Sequence, residues 1–257
     1  MDMMTNLIGI DRVLAQGEGH CPHHGDYAVT LLQGMALFCP TCIQEQLRDE
    51  DDSEACEDAR LRDAAILREA GINKRFEGAG FHNYEVTLPG QAWVVKCLKK
   101  FAERFDEVCL RGVSLVLMGA PGTGKNHLAV AVLREILQQG RTGLIITAEA
   151  MIRRIRDAWS DRGGTDVDVV GQLVKLDLLI IDEIGVSRGT ADEKLQIQRV
   201  INARYEHKKP SILITNLGRD ELVAEVGDRV ADRVRDGGGL LVFNWESRRA
   251  MAESFLS

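Results

Sequence analysis

A glycine-rich loop between an apolar run and a helical segment constrains this chain more than any other feature. The run ends at Met118, and the loop that follows has the sequence GAPGTGKN over residues 119–126. In the pattern G-x-x-x-x-G-K, the glycines let successive backbone N–H groups turn inward around a phosphate, and the next helix adds its dipole. Lys125 then reaches the β- and γ-phosphates. The pattern therefore predicts a nucleotide-binding α/β domain.

Asn126 departs from this pattern, because the position after the lysine normally carries a Ser or Thr whose hydroxyl ligates Mg²⁺. An amide oxygen can also coordinate Mg²⁺, so we keep Asn126 as a candidate metal ligand and expect slow turnover. His127 is grouped with the loop but receives no catalytic role, since a lone histidine here more often packs or hydrogen-bonds. The candidate nucleotide-binding residues of the loop are therefore Gly119, Pro121, Gly122, Thr123, Gly124, Lys125, Asn126 and His127.

Short apolar runs alternate with amphipathic segments from about residue 73 onward, which is typical of a parallel sheet covered by helices. Strands are predicted over 114–118, 143–147, 178–182, 212–215 and 240–243, and helices over 124–139, 148–159, 192–207 and 228–235. Only 41 residues follow Asn216, which leaves no room for a separate helical lid domain. The predicted fold is a five-stranded parallel α/β sheet around a phosphate loop, without a full helical lid.

Polar residues end two of the predicted strands. Asp182 and Glu183 follow four apolar residues, and Asn216 follows the strand over 212–215. Beside a phosphate loop, Asp182 can hold Mg²⁺ and Glu183 can activate an attacking water. Asn216 can hydrogen-bond that water or the γ-phosphate, although the sequence Asn-Leu-Gly also suits a turn. We predict that all three belong to the catalytic site.

Arg229 and Arg233 are four residues apart and share one face of a predicted helix. An arginine offered across a subunit boundary can neutralise charge that develops on a neighbour's γ-phosphate, as an arginine finger does. The alternative is a helix with local ion pairs, such as Asp232 with Arg235, each contributing a few tenths of a kcal/mol. The spacing alone does not choose between the two.

Cysteine and histidine pairs near the N-terminus have the spacing of a metal site. The pattern C-x-x-H is followed by C-x-x-C, which suits tetrahedral Zn²⁺ in a closed structural site with three thiolates and one imidazole. His23 is an alternative to His24, and His20 is a weaker one; Cys56, Cys97 and Cys109 receive no chemistry. The predicted zinc ligands are Cys21, His24, Cys39 and Cys42.

The net charge of −7 does not exclude nucleic acid, because it is concentrated in one segment. Residues 49–58 hold seven acidic residues, and without them the acidic residues number 32, equal to the 32 Lys and Arg. Arg153, Arg154 and Arg156, with Trp159, suit a single strand held by phosphate contacts and base stacking. The alternative is a solvated basic face with Trp159 in the core.

Composition shifts divide the chain into three blocks. We expect a zinc-ribbon-like domain over 1–46, an acidic helical connector over 47–72 and the nucleotide-binding domain over 73–257. No apolar run approaches the ~18–20 residues of a membrane span, and the N-terminus lacks the features of a secretory signal. We therefore expect a cytoplasmic protein without a membrane partner.

Together these motifs resemble the bacterial replicative helicase loaders of the DnaC family over residues 70 to 250. The resemblance rests on GAPGTGKNHLA, LLIIDEIG, Thr215-Asn216, GDRVADR and FNWESRR, and on the upstream segment over 81–84. The sequence Gly-Lys-Asn is itself a feature of that family. The N-terminal block departs from the best-known loaders but resembles the C-x-x-H-G…C-P-x-C ribbon of phage- and prophage-type relatives.

The resemblance implies an AAA+ fold, ATP and Mg²⁺ as cofactors, weak ATPase activity, single-stranded DNA binding and a hexameric helicase as partner. By motif, Arg233 resembles the arginine finger with Arg229 beside it, so that self-association involves both. Arg249 resembles the second sensor that touches nucleotide in the same subunit, and residues 81–84 resemble the segment near the adenine. An ATP-dependent DNA-transposition helper of the IstB type, which has a similar core, is the alternative.

Overall fold

The computed structural model describes residues 13–32, 39, 41–42, 45, 65–160, 166–186 and 190–247. The chain forms two units, Met1–Asp63 and Ala64–Ser257. Most of the expected acidic connector lies outside the described residues, and the domain boundaries expected after residues 46 and 72 stay predictions.

The first unit contains an antiparallel hairpin of β1 (Val13–Cys21) and β2 (Gly25–Leu32). Cys21 and Gly25 are partners in the ladder, and the three residues between them form the turn of the hairpin. Gly25 has φ +75°, a left-handed conformation that glycine adopts without strain. This tight turn brings Cys21 and His24 to the same end of the hairpin.

The second unit is built on a five-stranded parallel sheet, which confirms the predicted fold class. Its strands follow the order β4-β5-β6-β3-β7. All five predicted strands are present, and their bounds agree within two residues. The strands are β3 (Leu115–Gly119), β4 (Gly143–Thr147), β5 (Leu178–Ile184), β6 (Ser211–Thr215) and β7 (Gly239–Phe243).

Helices cover both faces of this sheet. The four predicted helices are present, and α1, α2, α5 and α7 were not among them. The helices are α1 (Pro89–Glu103), α2 (Phe105–Arg111), α3 (Lys125–Gln138), α4 (Ala148–Ser160), α5 (Asp166–Lys175), α6 (Ala191–Glu206), α7 (Arg219–Val226) and α8 (Asp228–Gly237). Two short 3-10 turns, Lys74–Phe76 and Phe81–Asn83, precede α1.

The core has one apolar cluster on each face of the sheet. Helices α1 and α3 pack on one face, where Leu98 and Leu133 are fully buried. Helices α4 to α8 cover the other, where Met151 and Ile197 are fully buried. Because each such side chain contributes about 1.5–3 kcal/mol on burial, the two clusters hold the strand ends in a fixed arrangement.

Arg204 is a buried charge on α6, with 1% of its surface exposed. Its guanidinium donates to the Ser211 hydroxyl at 2.9 Å and to four backbone carbonyls. Those carbonyls belong to Leu173, Leu176, Asp177 and Pro210. Arg204 therefore joins α6, the end of α5 and the starts of β5 and β6 at the edge of the sheet opposite the phosphate loop.

Residues 244–247, the described part of the chain after β7, contain no helix, and the predicted lack of a full lid stays a prediction. None of the helices in the described ranges is both long enough and apolar enough to cross a bilayer.

Candidate nucleotide-binding site and metal centre

The phosphate loop leaves β3 at Gly119 and enters α3 at Lys125, as the sequence predicted. A Cβ at residue 119 would lie 2.3 Å from the Phe243 carbonyl oxygen, so only glycine fits beside β7. Gly122 and Gly124 have φ +81° and +97°, which side-chain-bearing residues rarely adopt. These glycines let the loop curl at the carboxyl edge of the sheet.

Lys125 lies at the centre of the site, with 5% of its surface exposed. Its Nζ donates to the carbonyls of Gly119 at 2.6 Å and Ala120 at 2.8 Å, and to Asn216 Oδ1 at 2.8 Å. The bond to Asn216 forms because β6 lies next to β3 in the sheet. The structure thus brings Lys125 next to Asn216, the residue predicted to hydrogen-bond the attacking water or the γ-phosphate.

Asn126 contacts the first acidic residue directly. Its Nδ2 donates to Asp182 Oδ2 at 2.5 Å, while Asp182 Oδ1 accepts the backbone N–H of Glu183 at 2.8 Å. Burial raises the pKa of the Asp182 carboxyl, and the hydrogen bonds and Lys125 oppose that shift. Asn126 and Asp182 carry the amide and carboxylate oxygens that Mg²⁺ prefers, but here the amide nitrogen of Asn126 faces Asp182, so a shared ion would require the amide to turn its oxygen toward the carboxylate.

Glu183 occupies an irregular position near the end of β5. The register with β6 shifts between Ile181 and Ile184, and Glu183 has φ +60° and an exposed side chain in an otherwise buried strand. Thr215 fixes the neighbouring backbone, because its hydroxyl donates to the Ile184 carbonyl at 2.8 Å. The irregularity turns the Glu183 carboxylate out of the sheet toward the loop, and such strain is common at functional sites.

These residues line one cleft of about 450 Å³. Sequence reasoning did not assign four lining residues to the site: Ile214 and Thr215 at the end of β6, and Arg75 and Phe76 in the first 3-10 turn. Arg75 and Phe76 follow a chain segment with no recognisable motif, so no local signal pointed to them. From the loop and the strand ends, the lining residues are Pro121, Gly122, Gly124, Lys125, Asn126, His127, Asp182, Glu183, Ile214, Thr215 and Asn216.

Tyr84, in the segment expected near the adenine, hydrogen-bonds the backbone of the phosphate loop, and the contact with adenine stays a prediction. Tyr84 Oη donates to the Thr123 carbonyl at 3.2 Å, and Trp245 Nε1 donates to the same oxygen at 2.9 Å. Thr123 is fully buried, and its own hydroxyl donates to the Ala120 carbonyl at 2.9 Å. His127 packs edge-on against Tyr84 and lies 2.9 Å from the Gly80 carbonyl.

The two candidate finger arginines differ in their surroundings. Arg233 donates from Nη1 to Asn202 Oδ1 at 2.5 Å and lies 4.6 Å above the Tyr205 ring, both on α6. Arg229 is exposed and has no ion pair within the described part of the chain. Arg249, the predicted second sensor, lies outside the described residues.

The three arginines expected to contact DNA do not form one stripe on α4. Arg153 donates to Glu149 at 2.8 Å, and Arg156 donates to Asp192 of α6 at 2.7 Å. Arg156 lowers the pKa of the Asp192 carboxyl through these bonds. Arg154 is turned by about 100° around the helix from Arg153 and lines a separate small cavity.

In the first unit, the four predicted zinc ligands converge. One donor atom from each of Cys21, His24, Cys39 and Cys42 lies within 4.8 Å of all the others. His24 Nδ1 lies 3.8, 3.8 and 3.3 Å from the sulfurs of Cys21, Cys39 and Cys42 in turn. Tetrahedral Zn²⁺, with bonds of about 2.0–2.3 Å, separates its ligand atoms by about 3.5–3.8 Å, so the residues fit this ion.

The surroundings of this cluster suit a cation. Hydrogen bonds from the backbone N–H groups of His23 and His24 help lower the pKa of the Cys21 thiol to about 6. The hydrogen bond between Cys42 and Cys21 raises the pKa of the Cys42 thiol to about 11. His24 Nε2 lies 3.2 Å from Glu45 Oε1, which leaves Nδ1 directed at the sulfurs. A carboxylate on the outer nitrogen is the usual partner of a metal-bound histidine.

Known proteins resemble this chain over most of its length. It is 32% identical over 235 residues to the replicative helicase loader DnaC of Escherichia coli K12, which covers 86% of this chain and 95% of that protein. The DnaC of Buchnera aphidicola subsp. Baizongia pistaciae is 32% identical over 237 residues, with the same coverage. The chain belongs to the DnaC family of replicative helicase loaders. Full-length matches of this kind favour DnaC over the IstB-type alternative.

Other comparisons agree on the ATP-binding core. The family model for IstB-like ATP binding proteins matches residues 107–236, which include the phosphate loop, the acidic pair and both candidate finger arginines. A crystal structure of the DnaC helicase loader has a TM-score of 0.60 at 26% identity, covering 66% of this chain and 99% of that one. The DnaA replication initiator bound to AMPPCP and single-stranded DNA shares the fold, with a TM-score of 0.58 at 21% identity over 72% of this chain and 55% of that one. The second unit is therefore an AAA+ ATP-binding domain of the DnaC type.

Proposed function

We propose that this protein binds a hexameric replicative helicase and places it on single-stranded DNA, with ATP binding and slow hydrolysis as the switch. The observation that carries the proposal is the convergence of Lys125, Asn126, Asp182 and Asn216 in one cleft of a DnaC-family chain.

The residues of the cleft divide the work of phosphoryl transfer among them. Lys125 exchanges its carbonyl partners for the β- and γ-phosphates of ATP, and Asn126 with Asp182 holds Mg²⁺, which neutralises phosphate charge when bound. Glu183 accepts a proton from the attacking water, and Asn216 orients that water. Because an amide replaces the usual hydroxyl at residue 126, we expect slow turnover.

Turnover is completed by a neighbouring subunit. In this proposal the protein associates with itself through Arg229 and Arg233, and Arg233 stabilises the charge on the neighbour's γ-phosphate. Asn202 and Tyr205 support this role because they hold the guanidinium on α6. ATPase activity then depends on oligomerisation and on DNA, which Arg153, Arg154 or Arg156 contacts.

In this proposal the Cys/His cluster binds Zn²⁺ as a closed structural site. The first unit and the acidic connector bind the helicase. Four donors without an open position suit structure rather than catalysis. Zinc stabilises a small unit because its binding free energy is also folding free energy.

Light scattering after size exclusion tests the loader function, with the host's hexameric helicase and this protein mixed with and without ATP. We expect a complex of several loaders per hexamer. Lys125→Ala should lose nucleotide binding, and the matched variant Lys175→Ala, on exposed α5 surface, should behave as wild type. Nucleotide affinity equal to wild type in Lys125→Ala would sink the assignment of the phosphate loop.

The match to the IstB-like family model supports one second candidate, an ATP-dependent helper of DNA transposition. The same experiment separates the two functions. If no complex with the helicase forms under either condition, the loader proposal is wrong, and ATP-dependent coating of duplex DNA becomes the activity to measure.

A further inference from the structure

Helix α1 presents an exposed tryptophan beside a row of lysines. Trp93 has 55% of its surface exposed, the largest fraction for an aromatic side chain in the described residues. Lys96 and Lys100 follow at i+3 and i+7, so the three side chains share one face, and all are exposed. The opposite face of α1, including Val94 and Leu98, is buried against the core. We call Trp93, Lys96 and Lys100 the α1 face.

The charge on this face is not neutralised within the described part of the chain. Neither Lys96 nor Lys100 forms an ion pair there, and Glu103, the last residue of α1, is the helix's one acidic residue. The basic helix α4 differs, because Glu149 and Asp192 already bind two of its three arginines. The α1 face therefore keeps its positive charges available for an anionic partner.

We propose that the α1 face is a binding surface for single-stranded nucleic acid, in which Lys96 and Lys100 contact phosphates and Trp93 stacks on a base. Stacking on an exposed indole requires an unpaired base, which favours a single strand over a duplex. An exposed tryptophan followed by two lysines on one helix face also fits this ligand better than it fits an acidic peptide, which offers charge but few flat rings. The inference takes from the proposed function only that the nucleic acid is single-stranded DNA. It does not involve the nucleotide cleft.

The test measures binding of fluorescein-labelled oligo-dT to the full chain by anisotropy across a range of salt concentrations. Trp93→Ala should lower affinity by about 5- to 150-fold, the equivalent of about 1–3 kcal/mol for one stacked base. Lys96→Gln with Lys100→Gln should reduce the slope of log affinity against log salt by about 1.4, or about 0.7 for each phosphate that a lysine no longer neutralises.

Controls separate the face from general effects of charge. Lys175→Gln with Lys208→Gln removes the same charge from exposed positions elsewhere on the second unit and should leave affinity and slope as in wild type. Trp93→Tyr keeps an aromatic ring and should restore much of the binding that Trp93→Ala abolishes. Oligo-dT should quench tryptophan fluorescence in wild type and much less in Trp93→Tyr.

Two results would overturn the proposal. The first is that the α1 variants bind single-stranded DNA with the affinity and the salt slope of wild type. If these variants also fail to form the helicase complex, the α1 face is a protein-docking surface instead. The second is that Lys175→Gln with Lys208→Gln lowers affinity and salt slope as much as the α1 lysine variants do. That result would mean that binding depends on net charge alone. Affinity for a fluorescent ATP analogue and helicase binding are measured in parallel, so a failure of the loader function is distinguished from a failure of this surface.

Discussion

The Thr123 carbonyl is the point at which two distant segments hold the phosphate loop. Tyr84 precedes α1, Trp245 follows β7, and both donate to this one buried oxygen. We predict that Tyr84→Phe and Trp245→Phe are coupled, because each variant alone leaves the carbonyl one donor and the pair leaves it none. Both substitutions keep an aromatic ring, so the packing of Tyr84 on His127 and of Trp245 on Phe243 is largely retained.

The expected magnitude follows from the hydrogen bonds. Each single variant loses one net hydrogen bond, worth about 0.5–1.5 kcal/mol, and Trp245→Phe loses some packing as well. The double variant also leaves a buried acceptor unsatisfied, which costs about 1–3 kcal/mol more. Its loss of unfolding free energy should therefore exceed the sum of the single losses by about 1 kcal/mol or more. For a unit of this size, each kcal/mol lowers the melting temperature by about 2–4 °C.

Denaturant titration of the four proteins gives the coupling free energy, and titration with a fluorescent ATP analogue gives the effect on the loop. We expect nucleotide affinity to fall most in the double variant. Tyr205→Phe is a matched control, since its ring packs against Arg233 and is far from the loop. If the two single losses simply add up in the double variant, the idea of a shared carbonyl is refuted.

Three further predictions test other parts of the chain. Glu183→Gly should raise the unfolding free energy by about 0.5–1 kcal/mol, because glycine tolerates φ +60°. The variant should still bind ATP but should lose hydrolysis, and a lower unfolding free energy than wild type would contradict this prediction. Arg204→Met should lower the unfolding free energy by about 3–5 kcal/mol in denaturant titration, since buried acceptors lose their donor, and a loss below about 1 kcal/mol would argue against that network. Glu45→Gln should weaken zinc binding by about 10- to 100-fold in chelator competition, because it loosens His24. Asp26→Asn, which removes the partner of His20, a residue outside the four-ligand cluster, should not weaken it.

The sequence predicted the sheet well because its strands are continuous apolar runs. Leu178 to Ile181 are fully buried in β5, and a run buried on both faces has few alternatives to a central parallel strand. The loop residues were equally predictable, since glycine at residue 119 is required by the close approach of β7. The first Cys/His pair was predictable because the tight turn of a hairpin places residues three apart, Cys21 and His24, at the same end.

Features that depend on distant contacts were not predictable. The left-handed backbone at Glu183 arises from a register shift against β6, which no local pattern encodes. Arg75 and Phe76 enter the cleft through the tertiary position of a short 3-10 turn. The arginines of α4 looked like one basic stripe in sequence, but their partners, among them Asp192 on another helix, follow from packing.

Helix α6 joins the arginine regions that the proposed function uses. Near its start, Asp192 holds Arg156 of α4, and about three to four turns later Asn202 and Tyr205 hold Arg233 of α8. Because both contacts lie on one helix, we expect Arg233→Ala to change the effect of DNA on ATPase activity more than Arg229→Ala does, and equal effects of the two variants would refute coupling through α6. A neighbour's γ-phosphate that draws Arg233 away from Asn202 therefore acts on the same helix that restrains Arg156, which gives the proposed dependence of ATPase activity on DNA a physical route.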